Sequence, residues 1–291
     1  MDRHEHATLH LPSPALRHCI FMAVERDTRG VTLDARQRFN HYPAAPFPTI
    51  SWVLHGELRM LDSPADDRAP DLGPPIPDLA FAGPHDIPVA SWSPGAVHAL
   101  TVSVYPEFLA RYAGMDLGRF RNRVVPLADV LPSGSALLDT CRKVPTGTGA
   151  PFARLETALR SWADTAEASG AIRPSFTSWL AGLGLRAATS PNLAGLRRLQ
   201  RRVRATTGQS RRDLQLYVRA EHAFRAVAQL HPEGPVAWST IAHETGFSDQ
   251  SHLGREVRRI SGYSPARLRR TMETDEAFWF YRLIHGYHRG G

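Results

Sequence analysis

Between Ser239 and Arg270 the chain reads STIAHETGFSDQSHLGREVRRISGYSPARLRR, and this stretch leaves little freedom in how it folds. Gly246 permits the left-handed backbone that a tight corner between helices requires, so a short helix from about Ser239 to Thr245 should end there. Ser248 is placed to cap the next helix by accepting from backbone N–H groups that lack partners. In that second helix Leu253, Val257 and Ile260 recur at i, i+4 and i+7, which makes one buried stripe. At about 100° per residue, Ser251, Arg255 and Arg258 lie roughly opposite the stripe, with His252 and Arg259 beside them. Gln250 to Ile260 makes about 16 Å of helix, a length that enters the major groove of B-DNA. Arginine can donate two hydrogen bonds to guanine O6 and N7, while Gln250, Ser251 and His252 near the helix start can reach base edges or phosphates. A solvated helix face is the alternative reading of the same side chains.

These residues resemble the second helix-turn-helix of the AraC/XylS family of transcriptional regulators. The family's signature has an Ile-Ala pair, a Gly-Phe turn, an Asp-Gln-Ser-His run, a recurring Arg and a closing Gly-x-Ser-Pro followed by basic residues. In this sequence they are Ile241 and Ala242, Gly246 and Phe247, Asp249 to His252, Arg255, Gly262, Ser264 and Pro265, then Arg269 and Arg270. The resemblance implies a DNA-binding module with two helix-turn-helix units joined by a linker helix, roughly Pro174 to Met272. It also implies that Gln250, Ser251, His252 and Arg255 sit where family members contact bases. Leu196 to Leu230 is similar to the first recognition helix of that family, its Thr-Gly-x-Ser stop and its linker helix. There Leu196, Leu199 and Val203 form the buried stripe, with Arg198 and Arg201 opposite and Arg197, Arg202 and Arg204 on the flanks. The scaffold helix that should precede it is not legible, because only ATSPN separates the helix ending near Ala187 from Leu193. The first unit therefore reads as degenerate, with Arg197, Arg198 and Arg201 contacting mostly phosphates, or else as a purely structural helix.

Charge supports a polyanionic partner through its distribution more than its total. From Arg186 to Arg270 there are 16 arginines against six acids, whereas the whole chain carries a net charge of +7. Lys143 is the sole lysine, so an arginine bias in codon usage explains the basic total, but not its concentration in one third of the chain.

Ahead of this region the pattern is different. His18 to Val24, Ile50 to Leu61, Leu79 to Ala82, Ile87 to Trp92 and Ala96 to Tyr105 are short runs rich in Val, Ile and aromatic residues, separated by Pro and Gly clusters. They predict a β-sandwich or barrel, with Gly56 at the turn of a hairpin that pairs Ile50–Leu54 with Leu58–Leu61. From Pro106 the period becomes helical, and further helices are expected at Phe152–Glu167 and Pro174–Ala187. The expected fold class is α+β: a β-rich, cupin-like N-terminal domain over residues 1–130, a helical connector over 131–173, and an all-α DNA-binding domain with a helical tail over 174–291. The tail Ala277 to Ile284 is aromatic enough to be expected packed against its own core or the N-terminal domain, a dimer contact being the sharper alternative.

Other chemistry finds no support. His41, His55, His85 and His98 lack the spacing and downstream carboxylate of a metal cupin. Cys19 and Cys141 form no CxxC pair. No nucleophile elbow, P-loop, dinucleotide fingerprint or HExxH occurs, so neither an enzyme nor a bound cofactor is expected. No signal peptide or membrane-spanning run is present, which predicts a cytoplasmic protein. The six tryptophans are read as core rather than as a ligand cage. The sequence thus predicts a transcription factor that binds double-stranded operator DNA and senses a small-molecule effector through its first half, with RNA polymerase and a second copy of the chain as further partners. A constitutive binder with a dimerising N-terminal half, or a metal-binding or enzymatic cupin fused to a DNA-binding module, are the alternatives.

Overall fold

Short apolar runs punctuated by Pro and Gly become strands throughout the first 126 residues. In a computed structural model that describes residues 3, 4, 6–61, 72–160, 175–188, 196–230 and 236–289, they are Arg3–His4 (β1), Ala7–His10 (β2), Ile20–Asp27 (β3), Phe39–Tyr42 (β4), Thr49–His55 (β5), Arg59–Leu61 (β6), Leu72–Pro75 (β7), Leu79–Ala82 (β8), Val89–Trp92 (β9), His98–Val104 (β10) and Val124–Pro126 (β11). They build a seven-stranded sheet in the order β1-β2-β3-β10-β5-β8-β11 and a four-stranded sheet in the order β4-β9-β6-β7. All the pairings are antiparallel.

The hairpin expected around Gly56 does not form. β5 pairs with β10 and β8 in the larger sheet, while β6 pairs with β7 and β9 in the smaller one. The chain changes sheet at Gly56, which has φ +78°, and a Cβ there would lie 2.1 Å from the carbonyl oxygen of Ala96. Glycine is thus required both by the backbone conformation and by a chain that passes too close for any side chain. Sequence spacing shows the turn but not the neighbour that dictates its shape.

The larger sheet is covered on both faces. Ile50, Trp52, Leu100 and Val102 point to one side, into a core closed by Pro106–Ala113 (α1), Ala136–Lys143 (α2) and Pro151–Leu159 (α3). Trp52 donates its indole N–H to the carbonyl of Cys141 at 2.8 Å, which satisfies a donor that burial would otherwise leave unpaired. The helix expected over Phe152–Glu167 is α3, and residues 161–174 lie outside the described residues.

On the opposite face a register shift of β10 at Ser103/Val104 turns both Phe21 and Met22 toward the helical half of the chain. A bulge lets two consecutive side chains serve one face where a regular strand would alternate them. Phe21 stacks on Phe176 with ring centroids 5.4 Å apart, and Phe47 meets Trp179 edge-on at 4.6 Å. Phe176 and Trp179 belong to Phe176–Ala188 (α4), the first of the C-terminal helices. Among the described residues the others are Leu196–Thr207 (α5), Arg211–Leu230 (α6), Trp238–Glu244 (α7), Gln250–Ser261 (α8), Pro265–Thr274 (α9) and Trp279–Arg289 (α10). The chain is therefore α+β, with a β-rich N-terminal part followed by helices.

The aromatic tail packs inward. Trp279 and Leu283 of α10 share a core with Leu9 of β2 and Leu214 of α6. Trp279 donates to the buried Asn40 Oδ1 of β4 at 2.8 Å, and Arg26 of β3 lies over its ring at 4.9 Å while pairing with Glu276 at 2.7 Å. Of the tryptophans, Trp52, Trp179 and Trp279 are core residues, Trp92 and Trp238 are half-buried, and Trp162 lies outside the described residues. Among the described residues no helix is long and apolar enough to cross a membrane, and no group of three His, Cys, Asp or Glu converges as a metal-ligand set. His98 Nε2 instead bonds to Glu25 at 2.8 Å, and His85 Nδ1 meets the Gly83 carbonyl at 2.7 Å.

Candidate nucleic-acid interface

α7 and α8 meet at a corner whose geometry follows from local chemistry. Gly246 takes φ +79°, and Thr245 turns its hydroxyl back onto the Ile241 carbonyl at 2.6 Å. Ile241 and Ala242 have no exposed surface and Phe247 almost none, so the corner closes over its own core. The cap of α8 is Asp249 rather than Ser248: the Asp249 carboxylate accepts from the backbone N–H of His252 at 2.7 Å. Both residues are good caps, and the extended backbone of Asp249, with φ −162°, decides between them. Ser248 instead shares a hydrogen bond with His252 Nδ1 at 3.1 Å. The bond from the His252 N–H, followed by that from Ser248, holds the Asp249 carboxyl below the usual carboxylate range.

Along α8 the two faces separate cleanly. Leu253, Val257 and Ile260 are buried, whereas Gln250, Ser251, Arg255, Arg258 and Arg259 are exposed. His252 is half-buried, edge-on to Phe247 at 5.3 Å and 3.9 Å from Glu256, so its ring is shared between the corner and the surface. Arg259 differs from the other arginines. Its guanidinium donates to Asp213 Oδ1 at 3.1 Å, across to the first turn of α6. Ser210 and Asp213 cap that turn reciprocally, Asp213 donating its N–H to Ser210 Oγ at 3.2 Å while its carboxylate accepts from the Ser210 N–H at 3.3 Å. Burial opposes ionisation of Asp213, yet the bonds from Ser210 and Arg259 keep its carboxyl below the ordinary value.

α5 and α6 end their corner as α8 and α9 do. Thr207 Oγ1 donates to the Val203 carbonyl at 2.7 Å and accepts from the Gln209 N–H at 3.2 Å. Ser261 Oγ likewise donates to the Val257 carbonyl at 2.8 Å and accepts from the Tyr263 N–H at 3.1 Å. Gly208 and Gly262 follow with φ of +71° and +82°. The same four-residue device, Thr207-Gly208-Gln209-Ser210 and Ser261-Gly262-Tyr263-Ser264, therefore closes two helices of equal length, the physical content of a tandem arrangement. α4 packs against both α5 and α6. Residues 189–195, where the scaffold of the first unit was not legible, lie outside the described residues, as do the side chains of Leu196, Arg197, Arg198, Leu199 and Arg202. Arg201 is exposed, and so are Arg204, Arg211 and Arg212. The last two stand beside Asp213, close to where Arg259 crosses, and spacing within α8 alone does not point to them.

Both units also touch the N-terminal half. The Ala44 N–H donates to the Ile260 carbonyl at 2.8 Å, on the last turn of α8. Tyr217 of α6 donates its hydroxyl to the His85 carbonyl at 3.0 Å, and burial pushes that phenol well above its usual value. A Cβ on Gly208 would sit 3.1 Å from the backbone at Leu117 and Gly118, so the α5–α6 corner lies directly on a turn of the β-rich half. Asp86, held by Arg121 at 2.6 Å, faces Asp213 across the same contact.

A family model described as a helix-turn-helix domain matches residues 194–271, the span from the start of the α5 region to the middle of α9. No curated protein matches the sequence significantly. Among solved structures, an apo ToxT variant from Vibrio cholerae aligns over 84% of this chain and 95% of its own, at 11% identity and a TM-score of 0.36. ToxT of Vibrio cholerae with a bound unsaturated fatty acid aligns over 92% of this chain and 96% of its own, at 11% identity and a TM-score of 0.35. Likenesses this loose define neither the fold nor a ligand.

Proposed function

We propose that this chain, whose residues 194–271 match a helix-turn-helix domain model, is a regulator of the AraC type that controls transcription by placing α8 in the major groove of an operator and adjusts that binding to a small molecule. The observation that carries the reading is the division of α8: Leu253, Val257 and Ile260 are sealed inside, while Gln250, Ser251 and Arg255 stand exposed in the first half of the helix. Recognition helices meet base edges with such N-terminal positions. Arg255 reads a guanine, Gln250 and Ser251 read neighbouring base edges, and His252 orients the helix start. Arg258 takes a phosphate, whereas Arg259 stays held by Asp213 and reaches a phosphate when that tie is removed. Arg197, Arg198 and Arg201 supply phosphate contacts from α5.

Residues 1–130 form the sensor under this reading, with 131–173 as its connector and 174–291 as the DNA-binding part. The described connector helices belong physically to the sensor, because Leu137, Leu138, Leu155 and Leu159 share a core with Ile50 and Trp52. Regulation follows from the contacts that the β-rich half makes with both helix-turn-helix units, at Ile260 and at Gly208. Recruitment of RNA polymerase and pairing with a second copy complete the proposal, and no catalytic step is part of it.

The test is salt-titrated binding to the DNA upstream of the chain's own gene. Arg255→Ala should cost about 1–3 kcal/mol and relax base preference at one position. Uniform weakening on all sequences would reassign Arg255 to a phosphate, and unchanged affinity and specificity would remove α8 as the reader.

A further inference from the structure

The inward face of α8 does more than fill a core. Leu253, Val257 and Ile260 line a cavity of about 160 Å³ whose other walls come from β3, the segment 43–47, α6, α9 and α10. Both halves of the chain thus contribute walls to it, and Trp238 joins the lining. Protein interiors hold few voids larger than a water molecule. An apolar cavity of about 150 Å³ stays dry and takes up a molecule the size of benzene. By contrast, the void beside Trp52 and Cys141 in the core of the β-rich half measures about 20 Å³, little more than the space of one water.

Charges on the cavity wall are already committed. Glu221 accepts from the backbone N–H groups of Phe176 and Thr177 at 2.9 and 3.2 Å and from the Thr177 hydroxyl at 3.1 Å. Arg269 pairs with Glu273 at 3.2 Å. His285 and His288 each interact with a neighbour as well. The Tyr281 hydroxyl, buried and without a hydrogen-bond partner among the described residues, also belongs to this lining, so a single neutral acceptor is met there, whereas a carboxylate must compete with Glu273 for Arg269 among otherwise apolar groups, which is penalised.

We infer that this cavity is an effector site for a compact, neutral, mainly apolar molecule of one or two fused rings, and that its occupancy sets the position of α8. The inference rests on the reading of α8 as the DNA reader. The coupling is direct, since the ligand touches the back of the helix whose front meets the bases. Segment 43–47 walls the cavity and, through the Ala44 N–H, holds the carbonyl of Ile260. A molecule wedged between them moves the segment, the helix, or both.

The experiment uses the full chain and naphthalene as probe, with sodium palmitate as the charged, long-chain comparison. Naphthalene at tenfold excess over its Kd should raise the thermal midpoint by roughly 3 °C and change operator affinity by about fivefold or more. Ala223→Leu, which adds volume from α6, should abolish both responses while leaving operator binding in place. Ile284→Phe, from α10, repeats the test if the first variant folds poorly. A response to naphthalene that survives in a folded filling variant overturns the site. A response to palmitate alone overturns the ligand class. Operator binding by the wild type with no response to naphthalene overturns the effector site and leaves the DNA reading standing; absence of any operator binding overturns that reading itself.

Discussion

Removing the carboxylate of Asp213 should make the protein less stable and, at the same time, a stronger DNA binder. Asp213→Ala deletes half of the reciprocal cap at the start of α6, a loss of about 1 kcal/mol, and an ion pair to Arg259. The side chain of Arg259 is 46% exposed, so solvent screening leaves that pair only about 0.2–0.5 kcal/mol. The sum corresponds to a thermal midpoint lower by roughly 3 °C. Asp213 is held below the ordinary carboxylate pKa, so its contribution is fully present above the unfolded value of about 3.9 and is lost as pH falls through the lower folded value. On DNA the effect reverses, because Arg259 is released toward the phosphates and one repelling charge is gone. Each added phosphate contact steepens the dependence of log K on log salt by about 0.9. Fluorescence anisotropy across a salt series should therefore show a steeper slope for Asp213→Ala. Arg259→Ala alone should change the slope little, yet remove the added steepness in the Asp213→Ala background. A wild-type slope that drops by the full amount on Arg259→Ala would show that Arg259 already contacts DNA and would refute the tether.

Two further outcomes test the fold that presents α8. Gly56→Ala should destabilise by more than about 2 kcal/mol, because its Cβ meets the Ala96 carbonyl at 2.1 Å and the left-handed backbone is penalised as well; denaturant titration measures it, and a change within a few tenths of a kcal/mol would contradict the sheet crossing. Glu25 bridges His10 at 3.1 Å and His98 at 2.8 Å, and the bond from His10 leads in holding its carboxyl below the usual range against its burial. Its stabilising effect is then full above the unfolded pKa and disappears as pH falls through the folded one, so Glu25→Gln should lower stability at neutral pH and converge on the wild type in acid. Parallel curves at all pH values would refute it.

The second helix-turn-helix was legible from sequence because everything that shapes it is local. A glycine corner, a stripe at i, i+4 and i+7, and a cap all lie within the 24 residues from Ser239 to Gly262. The closing device of the first unit, Thr207 to Ser210, was legible for the same reason. What the sequence left open depends on contacts between distant residues. Ser248 reads as the cap of α8, yet the neighbouring Asp249 takes that place, its backbone extended and its carboxylate accepting from the His252 N–H. The tie of Arg259 to Asp213 spans 46 positions, so helical periodicity sees an exposed arginine and no partner. Gly56 reads as a hairpin until Ala96 is known to pass beside it. The cavity behind α8 is invisible to any pattern in α8 itself, since Leu253, Val257 and Ile260 look the same whether they face a packed core or an open space.

The bond between Asn40 and Trp279 joins residues 239 positions apart, and it orders events during synthesis. Strand β4 leaves the ribosome early, and while the Asn40 Nδ2 finds Ser91 within the same half, its Oδ1 waits for a partner translated some 239 residues later. Until α10 arrives, the surface of β4 that will cover Trp279 and Phe280 is bare and sticky. Expressing the first half alone should therefore give a product that needs chaperones or aggregates, and a premature stop ahead of Trp279 should damage the sensor as much as the DNA-binding helices.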